Sequence, residues 1–249
     1  GRTTFLFIIL AVILPCDVAF IRASRLLFGG IPGAYLPLHR QFLIAFLSLV
    51  PVGAILGFLF TRIARGAIHG GRGTLARAYA IESVGAVAGG ILGTAALIWG
   101  MSNLSLTLAL CLCPLFISAS AFHDGDFSRP LVLVSGGAGA VILIALWHAP
   151  LLDIATAAWN HRNVAASADT PYGRVVVTGQ QGQIGVFEND ALSFETQGTE
   201  AELFSHLTAL QHPHPREILL LGAGAEGLVR ELQQHAPGRQ PQRRAGIDR

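Results

Sequence analysis

The chain has 249 residues, of which 52% are hydrophobic and only 13% charged, with a mean hydropathy of +0.54. Soluble globular chains carry about 25% charged residues, so a wholly water-solvated protein is excluded and a membrane-embedded part is expected. The formal net charge of +2 is too small to point to a nucleic-acid partner.

The average hides a division. Before residue 150 the chain is mostly apolar runs, and after residue 160 it turns polar and holds most of the acidic residues. Every basic residue is Arg, with no Lys, which reads as genomic base composition rather than function. Cys16, Cys111 and Cys113 all fall in apolar segments, at spacings that suit neither a zinc ribbon nor a redox pair, so no metal site is expected. The sequence opens on Gly1 with no charged n-region or cleavage site before its first apolar run, and is read as a fragment or truncated chain.

A spanning helix needs about 20 mostly apolar residues. Segments 41–61, 80–99, 103–121 and 130–149 satisfy this, and a fifth, 3–21, is interrupted by Pro15 and Asp17. Residues 1–150 are therefore expected to be a transmembrane region of four to five spans. Gly85, Gly89 and Gly93 repeat every four residues and predict one helix face for close packing. Glu82 reads as a helix-end carboxylate near the lipid boundary, and "SGGAGA" at 135–140 as small-residue packing inside an apolar run.

Residues 151–169 are expected to be a linker. From Thr170 the period changes: "GRVVVTG", "GQIGVFE" and "DALSFE" are short β-rich runs separated by "QQGQ" and "ND". Such turns between β-branched and aromatic runs predict antiparallel hairpins over 170–198. "TEAELFSHLTALQ" (199–211) then places Leu203, Phe204, Leu207 and Leu210 at helical spacing, with Thr199 and Glu202 forming a capping box. "HPHPR" breaks that helix, "EILLL" predicts a buried parallel strand, "GAGAEG" a glycine turn, and "LVRELQQH" a second helix. Strand, glycine turn and helix together suit a phosphate or nucleoside, because glycine admits close backbone approach and the helix N-terminus offers unpaired N–H groups. The G-x-G-x-x-G spacing alone is weak evidence, and "GRQPQRRAGIDR" at 238–249 supplies no following strand with a ribose-gripping acid. It is read as a disordered tail. His212 and His214, in a Pro-rich connector, read as solvated loop residues rather than a metal pair.

In order, "RAYAIESVGAVAGG" (77–90), "TPYGRVVV" (170–177), "ENDALSFET" (188–196) and "EAELFSHLTALQHPHPREILLLGAGAEGLVREL" (200–232) resemble the spermidine synthase (polyamine aminopropyltransferase) family, in its bacterial form with a multi-spanning membrane region ahead of the enzyme domain. The resemblance implies β-hairpins followed by the start of a Rossmann-like methyltransferase-type fold, the latter over 199–237 and incomplete. It implies aminopropyl transfer from decarboxylated S-adenosylmethionine as co-substrate to a polyamine such as putrescine, with no metal or covalent cofactor.

Residue by residue, Tyr172 matches the tyrosine of the family's "S-P-Y-Q" stretch, and Gly173 stands at its nucleoside-contacting glutamine. Gly222 and Gly224 match the first and third glycines of the "G-G-G-D-G-G" loop, while Ala223 replaces the second. These five are the nucleoside-binding candidates. His206 matches the amine-site histidine of the "Y-H-E" helix. Ala225 stands where the family has its substrate-facing aspartate, and the adjacent Glu226 is the candidate replacement. The family's catalytic aspartate is expected beyond Arg249, so this chain is read as catalytically incomplete.

The alternative is a membrane transporter or sensor whose C-terminal domain binds a nucleoside or polyamine without catalysis. The lipid bilayer is an expected partner, and homo-oligomerisation is left open. With five spans, the 62–79 link carries Arg62, Arg65, Arg72 and Arg77, whereas the 22–40 link, on the side of the C-terminal domain, carries Arg22, Arg25 and Arg40. That count leans toward a cytoplasmic 62–79 link. A cytosolic nucleoside argues the reverse and is given more weight: a bacterial inner-membrane protein with a cytoplasmic C-terminal domain is expected.

Overall fold

The structure, a computed structural model, describes residues 2–71, 73–120, 129–212, 217–222 and 226–234. Its first half is helical: α1 (Arg2–Leu27), α2 (Leu38–His69), α3 (Leu75–Ile98), α4 (Asn103–Ser120), α5 (Arg129–Trp147) and α6 (Ala149–Ala157). Three of these, Thr3–Leu27 of α1 together with α2 and α3, are long and apolar enough to cross a membrane. Bent by 72°, α5 and α6 could together form a fourth such segment, whereas the apolar helix Asn103–Ala119, expected as a full span, is shorter.

Pro15 and Asp17 do not break α1. Asp17 accepts a hydrogen bond from Ser48 Oγ of α2 at 3.0 Å, which gives the carboxylate a partner inside an apolar segment. The helical core lies between α1, α4 and α5, where Ile8, Ala11, Leu108, Cys111, Leu115 and Ile142 are buried together. By contrast, α2 and α3 leave large apolar side chains exposed, among them Phe42, Phe46, Val84 and Leu92. The predicted glycine packing face of α3 is not used as such: a Cβ at Gly85 or Gly89 would meet nothing within 4 Å, and one at Gly93 would reach only Leu106, at 3.9 Å. Residues 135–140 lie within α5, but the small-residue packing expected of them is hardly used: a Cβ at Gly136 or Gly137 would meet nothing within 4 Å, and one at Gly139 would reach only Leu115, at 3.9 Å.

The expected linker at 151–169 is largely structured. It contains most of α6 and nearly all of β1 (Val164–Thr170), which pairs antiparallel with β2 (Gly173–Gln180). β3 (Gln183–Glu188) and β4 (Ala191–Glu195) complete a four-stranded antiparallel meander in the order β1-β2-β3-β4. The predicted turns behave as their residues dictate. Gln181 and Gly182 have φ of 50° and 86°, and Asn189 and Asp190 of 49° and 65°. Two successive left-handed residues match the right-handed twist of a tight hairpin, and Asn, Asp and Gly tolerate that conformation best. Val176, on β2, is fully buried at the centre of the sheet.

After the sheet come α7 (Thr199–Ala209) and α8 (Leu228–Gln234), which pack on each other. The N-cap of α7 is Gly198, with no side-chain cap, so Thr199 is the first helical residue and the capping box does not form. Leu203, Phe204, Leu207 and Leu210 are exposed, while Ser205 is fully buried. Residues 217–221 do not form the expected parallel strand. Leu219 and Leu221 are more than four-fifths exposed and pair with no strand among the described residues, whose four strands pair only with their neighbours in sequence. A Rossmann-like sheet is thus not formed by the described residues, while Ala223, Gly224, Ala225, His214 and the 238–249 tail lie outside them.

Candidate functional site

The candidate residues fall into two groups. The first sits at the β1–β2 turn. There, Thr170 Oγ1 accepts from the backbone N–H of Tyr172 and Gly173, both at 3.2 Å, and donates to the Gly173 carbonyl at 2.8 Å. This local ring of bonds fixes the turn and leaves the Tyr172 side chain 97% exposed. Glycine at 173 has a steric reason. A Cβ there would lie 2.6 Å from Asn189 Oδ1, the atom that accepts the Arg174 N–H at 3.1 Å. A glutamine in this position would have to displace Asn189 from that bond.

The second group lies around α7 and α8. A cleft of about 320 Å³ is lined by Gly198, Thr199 and Glu202 on one side and by Gly227, Arg230 and Glu231 on the other. His206 is half-exposed one turn further along α7, its Nε2 3.7 Å from Glu202 Oε1. Glu226 is partly exposed and immediately precedes Gly227, which has φ +83° and stands so close to Thr196 that a Cβ would be 2.6 Å from its carbonyl oxygen. Gly222 has φ +81° and open space beside it, a conformation that an L-residue adopts only with strain. The cleft thus joins Glu202 to Gly227, while His206 reaches Glu202 and neither His206 nor Glu226 lines the cleft itself. Gly173 instead lines a different and larger cavity, of about 780 Å³, between the sheet and helices α1 and α2. Neither cavity is lined by residues of both groups.

Sequence reasoning did not find the polar network beside the larger cavity. Arg22, at the end of α1, donates to Asp153 of α6 at 2.6 Å and lies 3.6 Å from Asp169 of β1. Asp153 also accepts from Ser167 at 2.6 Å and from Arg174 at 3.2 Å. The Asn103 N–H, at the start of α4, donates to Asp169 Oδ2 at 2.7 Å. Asp190, in the β3–β4 turn, is held by His161 at 2.7 Å and Asn160 at 3.1 Å, while its carbonyl accepts from Arg25. Burial raises the pKa of Asp153, but hydrogen bonds from Ser167 and Arg22 and the charges of Arg22 and Arg174 outweigh it and hold the carboxyl below its ordinary value. The available signal was a few charges placed in apolar surroundings, "FIRASR" and "LLDIAT", whose pairing spans 131 residues. Among the described residues, no group of three or more His, Cys, Asp or Glu side chains gathers as a metal site.

The likeness is to the spermidine synthases. Over 76 residues the chain is 31% identical to the spermidine synthase of Schizosaccharomyces pombe, a match covering 30% of this chain and 23% of that protein. It is 34% identical over 74 residues to the polyamine aminopropyltransferase of Leptospira interrogans, covering 29% and 15% of the two chains. It is 29% identical over 77 residues to spermidine synthase 2 of Hyoscyamus niger, covering 31% and 22%. The chain thus spans less than a quarter of the length of these curated relatives. No family model matches the chain, and no solved structure matches it.

Proposed function

We propose that this protein is a membrane-anchored, spermidine synthase-like aminopropyltransferase. The observation that carries the reading is the similarity, at about 30% identity over about 30% of the chain, to proteins named for that activity. In the proposed reaction the nitrogen of an amine such as putrescine attacks the methylene carbon beside the sulfonium of decarboxylated S-adenosylmethionine. The carbon–sulfur bond breaks with its electrons passing to sulfur, methylthioadenosine leaves, and the new secondary amine loses a proton to a base. Positioning two reactants and accepting that proton are tasks for side chains alone. Glu202 and Glu231 line the α7–α8 cleft and supply anionic groups that suit a cationic acceptor, with His206 beside Glu202 and Glu226 next to the cleft residue Gly227. Tyr172, Gly173 and the 222–224 stretch are proposed to meet the nucleoside, which requires the β1–β2 turn and the glycine turn to face a shared ligand. The exposed apolar faces of α2 and α3 support the membrane anchor.

Methylthioadenosine binding measured by calorimetry on the detergent-purified chain tests the nucleoside part, and methylthioadenosine release by the full-length gene product, followed by mass spectrometry, tests the chemistry. Binding is expected, with Gly222→Val weakening it about tenfold, since a β-branched residue at positive φ deforms the turn. Absence of both methylthioadenosine binding and its release from decarboxylated S-adenosylmethionine plus putrescine would overturn the reading.

A cytosolic co-substrate also requires the sheet to face the cytoplasm. The 28–37 loop shares the sheet's side, because Gly33 bridges to Ala191. Reporter fusions after residue 165 should therefore be active in the cytoplasm; activity only in the periplasm would contradict this placement.

A further inference from the structure

The 780 Å³ cavity between α1, α2 and the sheet has a feature that the proposed transferase chemistry does not use. Its wall includes Asp169, whose side chain is only 2% exposed. One carboxylate oxygen, Oδ2, is satisfied by the Asn103 N–H and faces Arg22. The other, Oδ1, is buried and has no hydrogen-bond partner. A buried acceptor left unsatisfied is costly, and its removal from water is repaid when a ligand donor fills the position. Arg22, Arg25 and Arg174 line the same cavity, each with more N–H groups than its protein partners use. Away from this polar end, the wall becomes aliphatic, with Val18, Ile44 and Leu49 contributed by α1 and α2. The volume falls in the usual range for a small-molecule site.

We infer that this cavity holds a phospholipid with a primary ammonium head group, the ammonium donating to Asp169 Oδ1, the phosphate facing the three guanidiniums, and the acyl chains lying along α1 and α2. The inference rests on the membrane part of the proposed function, since the aliphatic wall is built from the two longest helices proposed to cross the bilayer. It does not depend on transferase activity. A quaternary choline head has the same phosphate and the same chains but no N–H, so comparing the two heads isolates the contact to Asp169.

The test uses the full chain, purified in detergent and exposed to equimolar phosphatidylethanolamine and phosphatidylcholine of identical acyl composition, with retained lipid read by native mass spectrometry. Phosphatidylethanolamine should be retained about tenfold over phosphatidylcholine, the value of one hydrogen bond to a charged group. Asp169→Asn should bring the two within about twofold, because the acceptor loses its charge. As Asp169→Asn also weakens the Asn103 and Arg22 contacts, a second variant is needed. Ala45→Phe, at an exposed position on α2 that lines the aliphatic part, should lower retention of both lipids while the far-ultraviolet circular dichroism is unchanged. Equal retention of the two lipids by the wild type would overturn the assignment, as would a preference that survives Asp169→Asn. Retention of free dodecylamine but not of phosphatidylethanolamine would overturn the lipid source. Carbonate extraction of membranes separates the two readings: release of the protein into the soluble fraction refutes the anchor, whereas an extraction-resistant protein with no lipid preference refutes only the cavity assignment.

Discussion

Arg22 and His206 each stand beside a carboxylate, but in opposite surroundings. Arg22 is 8% exposed and joins three elements through Asp153, Thr156 and Asp169; the His206 side chain is 50% exposed and lies 3.7 Å from a carboxylate on its own helix. The same contrast holds around them. The junction of α1, α6 and the sheet buries its polar groups and pairs all but Asp169 Oδ1 among those described, whereas α7 and the 217–221 stretch turn leucines outward. Charge pairing in water contributes little, and charge pairing away from water is indispensable once formed. The junction is therefore where the fold is fixed, and the α7–α8 region is where it is most easily changed.

The largest break in that contrast should come from Arg22→Ala. It leaves Asp153 and Asp169 buried with reduced compensation, a loss on the order of 3–5 kcal/mol, visible as a lowered unfolding midpoint in detergent. A smaller effect, about 1–3 kcal/mol, is expected for Gly227→Ala, which combines a positive φ with a clash against the Thr196 carbonyl. Hydrogen exchange should then rise in α8 while the sheet remains protected. The smallest effect concerns acid. Because the folded-state pKa of Asp153 lies below the ordinary 3.8, its contribution is fully present above that value and is lost as pH falls through the folded-state pKa. Denaturation followed from pH 6 downward should show this acid limb in the wild type, and Asp153→Asn should flatten it.

These contrasts also explain what the sequence could reveal. The hairpins over β2, β3 and β4 were legible because "QQGQ" and "ND" dictate tight turns between β-branched runs. β1 was not, since "VAASADT" is small and polar and becomes a strand through its ladder with β2. α1 was underread at Pro15 and Asp17, whose accommodation depends on Ser48, a residue from another helix. The candidate site was legible only through family resemblance, and its described residues do not share a cavity. The buried network was hidden for a simpler reason: no local pattern announces that residues 22 and 153 will meet. Local chemistry sets turns and helix faces, and long-range pairing sets where charges can be buried.

The short bridge between Gly33 and Ala191 has a further consequence. β4 is an outer strand of the meander, and the Leu192 amide near its start donates to the Gly33 carbonyl at 2.8 Å. A loop between two long apolar helices thus occupies a position at which another polypeptide could otherwise add by strand pairing. The loop shields the sheet from templating aggregation at that end, and it does so with a single main-chain contact.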